Sequence, residues 1–566
     1  MKKPFLLVVA ALAAWVSSAP PARPATDDGP ASAALATITA DKLLQRVRVL
    51  SSDAFEGRSA GTHGEDVTVA YLISQFKALG LAPGNPDGTY VQNVPMTAYT
   101  THPKLSFEVG GKSIALKSKD DFVARATVRQ KHYVLKDSPI VFVGYGVQAP
   151  EYQWDDFKGV DVRGKTILML INDPQIPDPD DPSKLDEKMF GGKAMTYYGR
   201  WTYKYEIAAR LGAKAAIIIH ETIPAAYPWS VVVNSNGGEN YSLGHFGPDP
   251  SFPPIAGWMT LERTKQLLAA SGLDFDTLKA QALKRDFRPV TLKARATFDI
   301  ENSWRTLDSR NVVAKIPGSD PARSGQYIVY TAHWDHFGWD PTLPGTKTQQ
   351  IFHGAGDNAS GVAALLTLAE AFKALPVATP RSVLFIATTG EERGLLGAKY
   401  YASHPLYPLR DTVADLNMDI VNPLGRTRDV EIIGYGQSEL DELATRAAAS
   451  ENRITVPFAH PERGSFYRAD HLEFARVGVP ALYLGSGNDF IGQPAGYGEA
   501  KGVDWTANHY HQVTDVIQPD WTFAGGVEDT QLLWRVGHEL ASGSDFPNWK
   551  PGSEFKAKRD AMMAHP

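Results

Sequence analysis

Tyr327-Ile328-Val329-Tyr330-Thr331-Ala332-His333-Trp334-Asp335 is the stretch that decides the fold of this 566-residue sequence. Six residues rich in β-branched and aromatic side chains predict a strand, Tyr327 to Ala332, and the run ends abruptly in an imidazole and a carboxylate. A glycine-rich turn, Gly354 to Gly361, then opens a predicted helix from Ala359 to Ala374. The next apolar run, Ser382 to Thr388, reads as a strand. It ends in Gly390-Glu391-Glu392 and is followed by a helix from Gly394 to Ser403. Strands at Ala414 to Val421, Glu431 to Gly434 and Ala481 to Leu484 follow, with helices at Ser438 to Ser450 and Phe523 to Leu540. Such alternation predicts an α/β fold with a mostly parallel mixed sheet flanked by helices. Sites in such sheets form beyond the carboxyl ends of the strands.

Upstream, Thr39 to Leu50 has helical periodicity with a capping residue at its start, and a second helix from Gly64 to Leu79 stops at Gly80. Strand-like pieces continue to about Arg129. A different pattern begins near 137. Val141 to Val143, Thr166 to Ile171 and Ala215 to Ile219 are uninterrupted apolar runs of the kind found in buried sheets. Between them lie a helix from Tyr203 to Leu211 and long loops at 173–193 and 222–254. We therefore expect a β-rich insert at 137–295, with 26–136 as the N-terminal part of the catalytic domain, 296–545 as its main body and 546–566 as a C-terminal tail.

The N-terminus places a compartment expectation beside the fold. Lys2 and Lys3 precede an apolar run from Phe5 to Val16 and small residues Ser17 to Ala19, the layout of a secretory signal peptide. Pro20 disfavours a cut after Ala19, and a cut after Ala25 is the alternative; the segment is drawn as 1–25. The expected location is periplasmic or secreted, with no membrane anchor after cleavage. The sequence has no cysteine, which excludes disulfides, thiolate zinc sites and cysteine nucleophiles. A net charge of -6, with acidic and basic residues interspersed, argues against a nucleic-acid partner.

The chemistry collects at the strand ends. His333, Asp335, Asp357, Glu391, Glu392, Asp419 and, late in the chain, His511 form a nitrogen and oxygen donor set suited to zinc. Two imidazoles with Asp357, Asp419 and one of the two glutamates make five ligands, too many for one catalytic zinc, which has three plus water. With one bridging carboxylate they serve two ions. Asp335, two residues beyond His333 on an extended strand, shares its face and is the natural orienter of that imidazole. Of the adjacent Glu391 and Glu392, one can hold metal while the other accepts a proton from the attacking water. The glycine-rich turn is not a phosphate cradle: Asp357 repels phosphate, and the Lys-Ser/Thr of a P-loop is missing.

Together these motifs resemble the co-catalytic zinc peptidases that include bacterial leucyl aminopeptidases, glutamate carboxypeptidase II and the transferrin receptor. The resemblance rests on Ala332 to Asp335, Gly354 to Gly361, Gly390 to Gly397, Asn417-Met418-Asp419 and Tyr510-His511. It implies His333 and Asp419 on one zinc, Glu392 and His511 on the other, Asp357 bridging, Glu391 as general base, and a cis peptide bond after Asp357. The insert resembles a protease-associated domain, most clearly over Tyr205 to Ala216. Phe466 to His471 resembles a loop near the family's substrate pocket. Tyr467 in it is either a donor to the developing oxyanion or an ordinary packed aromatic. His336, His353, His460, His471 and His509 are set aside as ligands.

The implied activity is that of an aminopeptidase releasing N-terminal residues from peptide substrates, by attack of a water shared by two Zn2+ ions. A carboxypeptidase acting on C-terminal acidic residues is the alternative within enzymes. The sequence offers no recognisable arginine cluster for such a substrate. A glutaminyl-cyclase-like acyl transfer is disfavoured because those relatives use one zinc. A non-catalytic binding protein on the same fold is disfavoured by the intact ligands and Glu391.

Overall fold

The computed structural model describes residues 31–244 and 251–564. The expected signal segment, 1–25, lies outside them. No helix among the described residues is long and apolar enough to cross a membrane.

Three fully buried strands, Ser382–Thr388, Tyr327–His333 and Thr412–Asn417, lie side by side and parallel, with Tyr327–His333 in the middle. Ala481–Ser486 continues the parallel order beyond Thr412–Asn417. Helix Gly361–Lys373 covers this block, burying a nearly continuous face from Val362 to Phe372. Ala40–Leu50 and Ala524–Ser542 complete the layer, sharing one apolar core with it. The arrangement is the expected α/β architecture: strands buried on both faces read as unbroken apolar runs because neither side meets water.

Val290–Ile316 joins this block to the insert. Its C-terminal part pairs antiparallel with Ser382–Thr388, from Val312 opposite Ala387 to Ile316 opposite Val383. Its N-terminal part pairs antiparallel with His132–Phe142. Beyond that strand, Thr166–Leu170, Ala215–His220 and Ile255–Thr260 form a second parallel block. One 16-stranded sheet therefore runs through both parts among the described residues.

Two expected boundaries change. The second apolar core extends from Leu105 to Ile300, so a limit at 137 cuts through it, and one at 295 falls inside a single strand. The reason is the long ladder between Val91–Val109 and Val290–Ile316, which crosses from one core to the other. The expected C-terminal tail, over its described residues 546–564, is packed into the fold. Trp549 and Phe555 are buried against Phe466 and Leu472, and helix Lys556–Ala564 buries Arg559, which donates to the Thr412 carbonyl at 3.2 Å.

Candidate metal centre

The parallel order of the three central strands delivers the expected ligands to one edge. His333 is the last residue of its strand. Glu391 and Glu392 follow Ser382–Thr388 after a two-residue turn, and Asp419 lies two residues beyond Thr412–Asn417. Asp357 reaches the same point from the turn preceding helix Gly361–Lys373. The Asp357–Asn358 peptide bond is cis, as the resemblance implies.

Buried polar contacts hold these loops. Both carboxylate oxygens of Asp515 accept, one from Gly356 N–H at 2.8 Å and the other from Asp357 N–H at 3.0 Å. Asn358 donates to the Met418 carbonyl at 2.9 Å and accepts from Ile420 N–H at 3.1 Å, fixing the backbone on either side of Asp419. Gly361 must be glycine here, because an added Cβ would lie 2.3 Å from the Asn358 amide oxygen and 2.6 Å from the Met418 carbonyl. Fully buried Arg58 donates to the carbonyls of Trp334, His353 and Gly354, so one guanidinium braces the segments bearing His333 and Asp357. Neither Arg58 nor Asn358 was singled out from the sequence. A charged residue after Glu56-Gly57, in a break between helices, is too weak a signal.

The donor atoms converge. His333 Nε2 lies 3.2 Å from one oxygen of Asp357 and 3.3 Å from Asp419. His511 Nε2 lies 3.4 Å from the other oxygen of Asp357 and 3.1 Å from Glu392. Tetrahedral zinc with bonds of about 2.0–2.1 Å places neighbouring ligand atoms roughly 3.3 Å apart, so these separations suit zinc. The two oxygens of Asp357 face different imidazoles, as a bridging carboxylate requires. Glu391 Oε2 is 3.9 Å from His333 Nε2, beside the cluster.

Electrostatics in the cluster follow from this crowding. Burial pushes Glu391 well above the usual carboxylate range, with Asp419 and Glu392 adding to the rise against His333. Burial also acts on Glu392, but His511 and His336 outweigh it and hold the group down at about 2. Burial would lower His511, yet Glu392 and Asp357 raise it to about 9. Adjacent glutamates are thus driven apart, as expected of a proton acceptor next to a ligand.

Three further placements refine the sequence reading. The His333 Nδ1 faces the backbone carbonyl of Asp335 at 3.2 Å, while the Asp335 carboxylate, 3.8 Å away, accepts from Glu391 N–H at 3.1 Å. Asp335 therefore orients its histidine through its main chain and the Glu391 backbone through its side chain. His336, set aside as a ligand, hydrogen-bonds Glu392 through Nδ1 and lies within ligand reach of Asp357 and Glu392. The other histidines set aside lie elsewhere. His353 faces Asp53, His460 faces Glu462 and Glu499, His509 faces the Thr514 carbonyl, and His471 packs between Phe466 and Tyr483.

A cavity of about 270 Å³ opens beside Glu391, Glu392 and His511. The insert forms its opposite wall. Of the two stretches expected as long loops, 222–254 instead holds helices Thr222–Ala225 and Trp229–Asn236 and strand Asn240–Leu243, and lines the cavity through Tyr227, Val231 and Ser235, whereas 173–193 does not line it. Tyr467 borders the cavity, but its hydroxyl donates to Glu554 at 2.8 Å. Tyr510, unassigned in the sequence beyond its place in a motif, lines the cavity, its ring tilted against that of His511 with centroids 3.8 Å apart. The cavity also gathers Arg200, Arg393, Arg468 and Arg476, which come from separate segments and formed no recognisable cluster in the sequence.

Fold and cluster together suit a zinc-dependent peptidase domain. Residues 311–534 match the model of Peptidase family M28. The chain is 27% identical over 239 residues to aminopeptidase YwaD of Bacillus subtilis (strain 168), an alignment covering 42% of this chain and 45% of that protein. It is 26% identical over 364 residues to probable leucine aminopeptidase 2 of Aspergillus fumigatus, covering 62% of this chain and 61% of that protein. The chain thus spans less than two thirds of the length of these curated relatives. In fold it is similar to the aminopeptidase from Aneurinibacillus sp. strain AM-1, with a TM-score of 0.52 at 19% identity over 91% of this chain and 97% of that one.

Proposed function

We propose that this chain is a two-zinc exopeptidase that removes residues from the free amino end of peptides. The observation that carries the reading is the convergence of His333, Asp419, Glu392 and His511 on the two oxygens of Asp357, with Glu391 alongside. His333 and Asp419 would hold one ion and Glu392 and His511 the other, with Asp357 shared. Bound zinc would supply Lewis acidity toward the peptide carbonyl and lower the pKa of water.

The chain's own residues do the rest. Glu391 accepts the proton of the attacking water and returns it to the leaving amine nitrogen. Tyr510, which lines the cavity beside His511, would donate to the carbonyl oxygen as it gains charge. Asp335 fixes the backbone of Glu391, and His336 holds the second oxygen of Glu392. The insert, read as a protease-associated domain, closes the cavity and limits the substrate that enters it. Export to the periplasm or beyond belongs to this reading and rests on residues 1–25 alone.

The names of the relatives favour the amino end. Purified zinc-loaded protein is tested on matched peptides with free and N-acetylated amino termini, and each released residue is identified. Release from the free amino end only is expected. Equal rates on both series, or release from the carboxyl end, would overturn the aminopeptidase assignment.

A further inference from the structure

Glu301, on the long ladder that joins the two cores, stands between two histidines. Within strand Val290–Ile316 it lies directly opposite His102 of Val91–Val109 on one side and opposite His132 of His132–Phe142 on the other. Directly opposed residues share a face of the sheet, and so do residues two apart on one strand, which puts Asp299 on that face as well. The alternate residues Phe298 and Ile300 are fully buried, so they hold the strand to the core and leave the face with Asp299 and Glu301 to solvent. None of these four polar residues lines the cavity beside the candidate metal centre.

Their donor atoms are close. His132 Nε2 lies 2.7 Å from an oxygen of Asp299 and 3.8 Å from one of Glu301, and donor atoms of these three residues all fall within 4.8 Å of one another. Zinc ligand atoms about 2.0–2.1 Å from the ion stand roughly 3.3 Å apart, a value that the two separations bracket. Strands spaced about 4.8 Å apart put the backbones of His102 and His132 roughly 10 Å from each other, a gap that two imidazoles bound to one ion above Glu301 can span. An exposed imidazole–carboxylate pair by itself adds little to stability. Two imidazoles flanking two carboxylates on a rigid sheet are instead a nitrogen and oxygen donor set suited to zinc, copper or nickel.

We propose that His102, His132, Asp299 and Glu301 form a surface metal site, separate from the catalytic cluster, for one divalent transition-metal ion such as zinc. The ion clasps three neighbouring strands where the ladder passes into the second core. The site stands independently of the peptidase reading.

Full-length protein is dialysed against a series of buffered free-zinc concentrations, and bound zinc is counted by elemental analysis beside His132→Ala, Asp299→Ala and His102→Ala. Wild type should hold about one equivalent more than His132→Ala or Asp299→Ala. His102→Ala should need at least about tenfold more free zinc to fill the site, the lower bound for losing even an outer partner of a metal. The difference between wild type and variant is the readout, so it holds whatever number of ions the catalytic cluster binds. It should persist when His132→Ala is compared with its parent in an Asp357→Asn background. Equal zinc counts in wild type and His132→Ala, or filling at the same free zinc in His102→Ala, would overturn the site. A difference that disappears in the Asp357→Asn background would assign the lost ion to the catalytic cluster and overturn it too.

Discussion

Ser235 Oγ lies 3.0 Å from Nδ1 of His511, so a residue of the insert contacts a metal-ligand candidate of the catalytic domain. Asn234 adds a second tie, donating to the His511 carbonyl at 2.8 Å. With Nε2 turned toward Glu392 and Asp357, Nδ1 carries the proton and Ser235 accepts it. His333 has the equivalent support from its own segment, the Asp335 carbonyl. One imidazole is thus set locally and the other across the interface.

Ser235→Ala removes that acceptor without changing the donor atoms. Outer partners of metal-bound histidines typically change affinity by 10–100-fold, so zinc at the His511 site should bind about tenfold more weakly, and excess zinc should restore turnover. Competition with a chelator measures this. Unchanged affinity would show that Asn234 and the backbone suffice to orient the ring.

Asp357 is the shared ligand, so its loss should affect both ions. Protein kept free of chelators should hold about two zinc equivalents, and Asp357→Asn, with one oxygen and no charge, should hold less than about one. Elemental analysis decides it. A wild-type value of one with full activity would remove the bridging role.

Glu391 and Glu392 should fail differently. Glu391→Gln keeps size and hydrogen bonding but removes the proton acceptor; turnover should drop by at least ~100-fold with metal content unchanged. Glu392→Gln should instead weaken one zinc, and added zinc should partly restore activity. Metal content and turnover are read on the same samples. The opposite pattern would exchange the two assignments.

Glu451 sets a pH dependence far from the metals. Burial raises its carboxyl from 4.5 to about 8, despite Arg453 and Arg535. The folded protein therefore holds this proton more tightly than the unfolded chain. Its contribution to stability is complete below 4.5 and is lost as pH rises through about 8. Glu451→Gln, which cannot ionise, should show a smaller decline in Tm than wild type between about pH 6 and about pH 9. Parallel declines would mean that Glu451 is already ionised when folded.

The sequence by itself determined the central fold and most of the candidate ligand set, because both are written in local patterns. Strand Ser382–Thr388 and its neighbours are unbroken apolar runs; His333, Glu391, Glu392 and Asp419 sit at or just beyond their ends, and Asp357 in the turn that opens helix Gly361–Lys373. Parallel pairing alone then brings those ends together. Tertiary structure decided what depends on segments distant in the chain. The long ladder of Val91–Val109 with Val290–Ile316 fuses two cores and erases the boundaries expected at 137 and 295. Arg58 reaches carbonyls nearly 300 positions away, and Ser235 reaches His511 across 276. Arg200 and Arg468 meet only where the insert folds back over the catalytic sheet. A side chain's partner is set by where the backbone carries it, and no local spacing encodes that position.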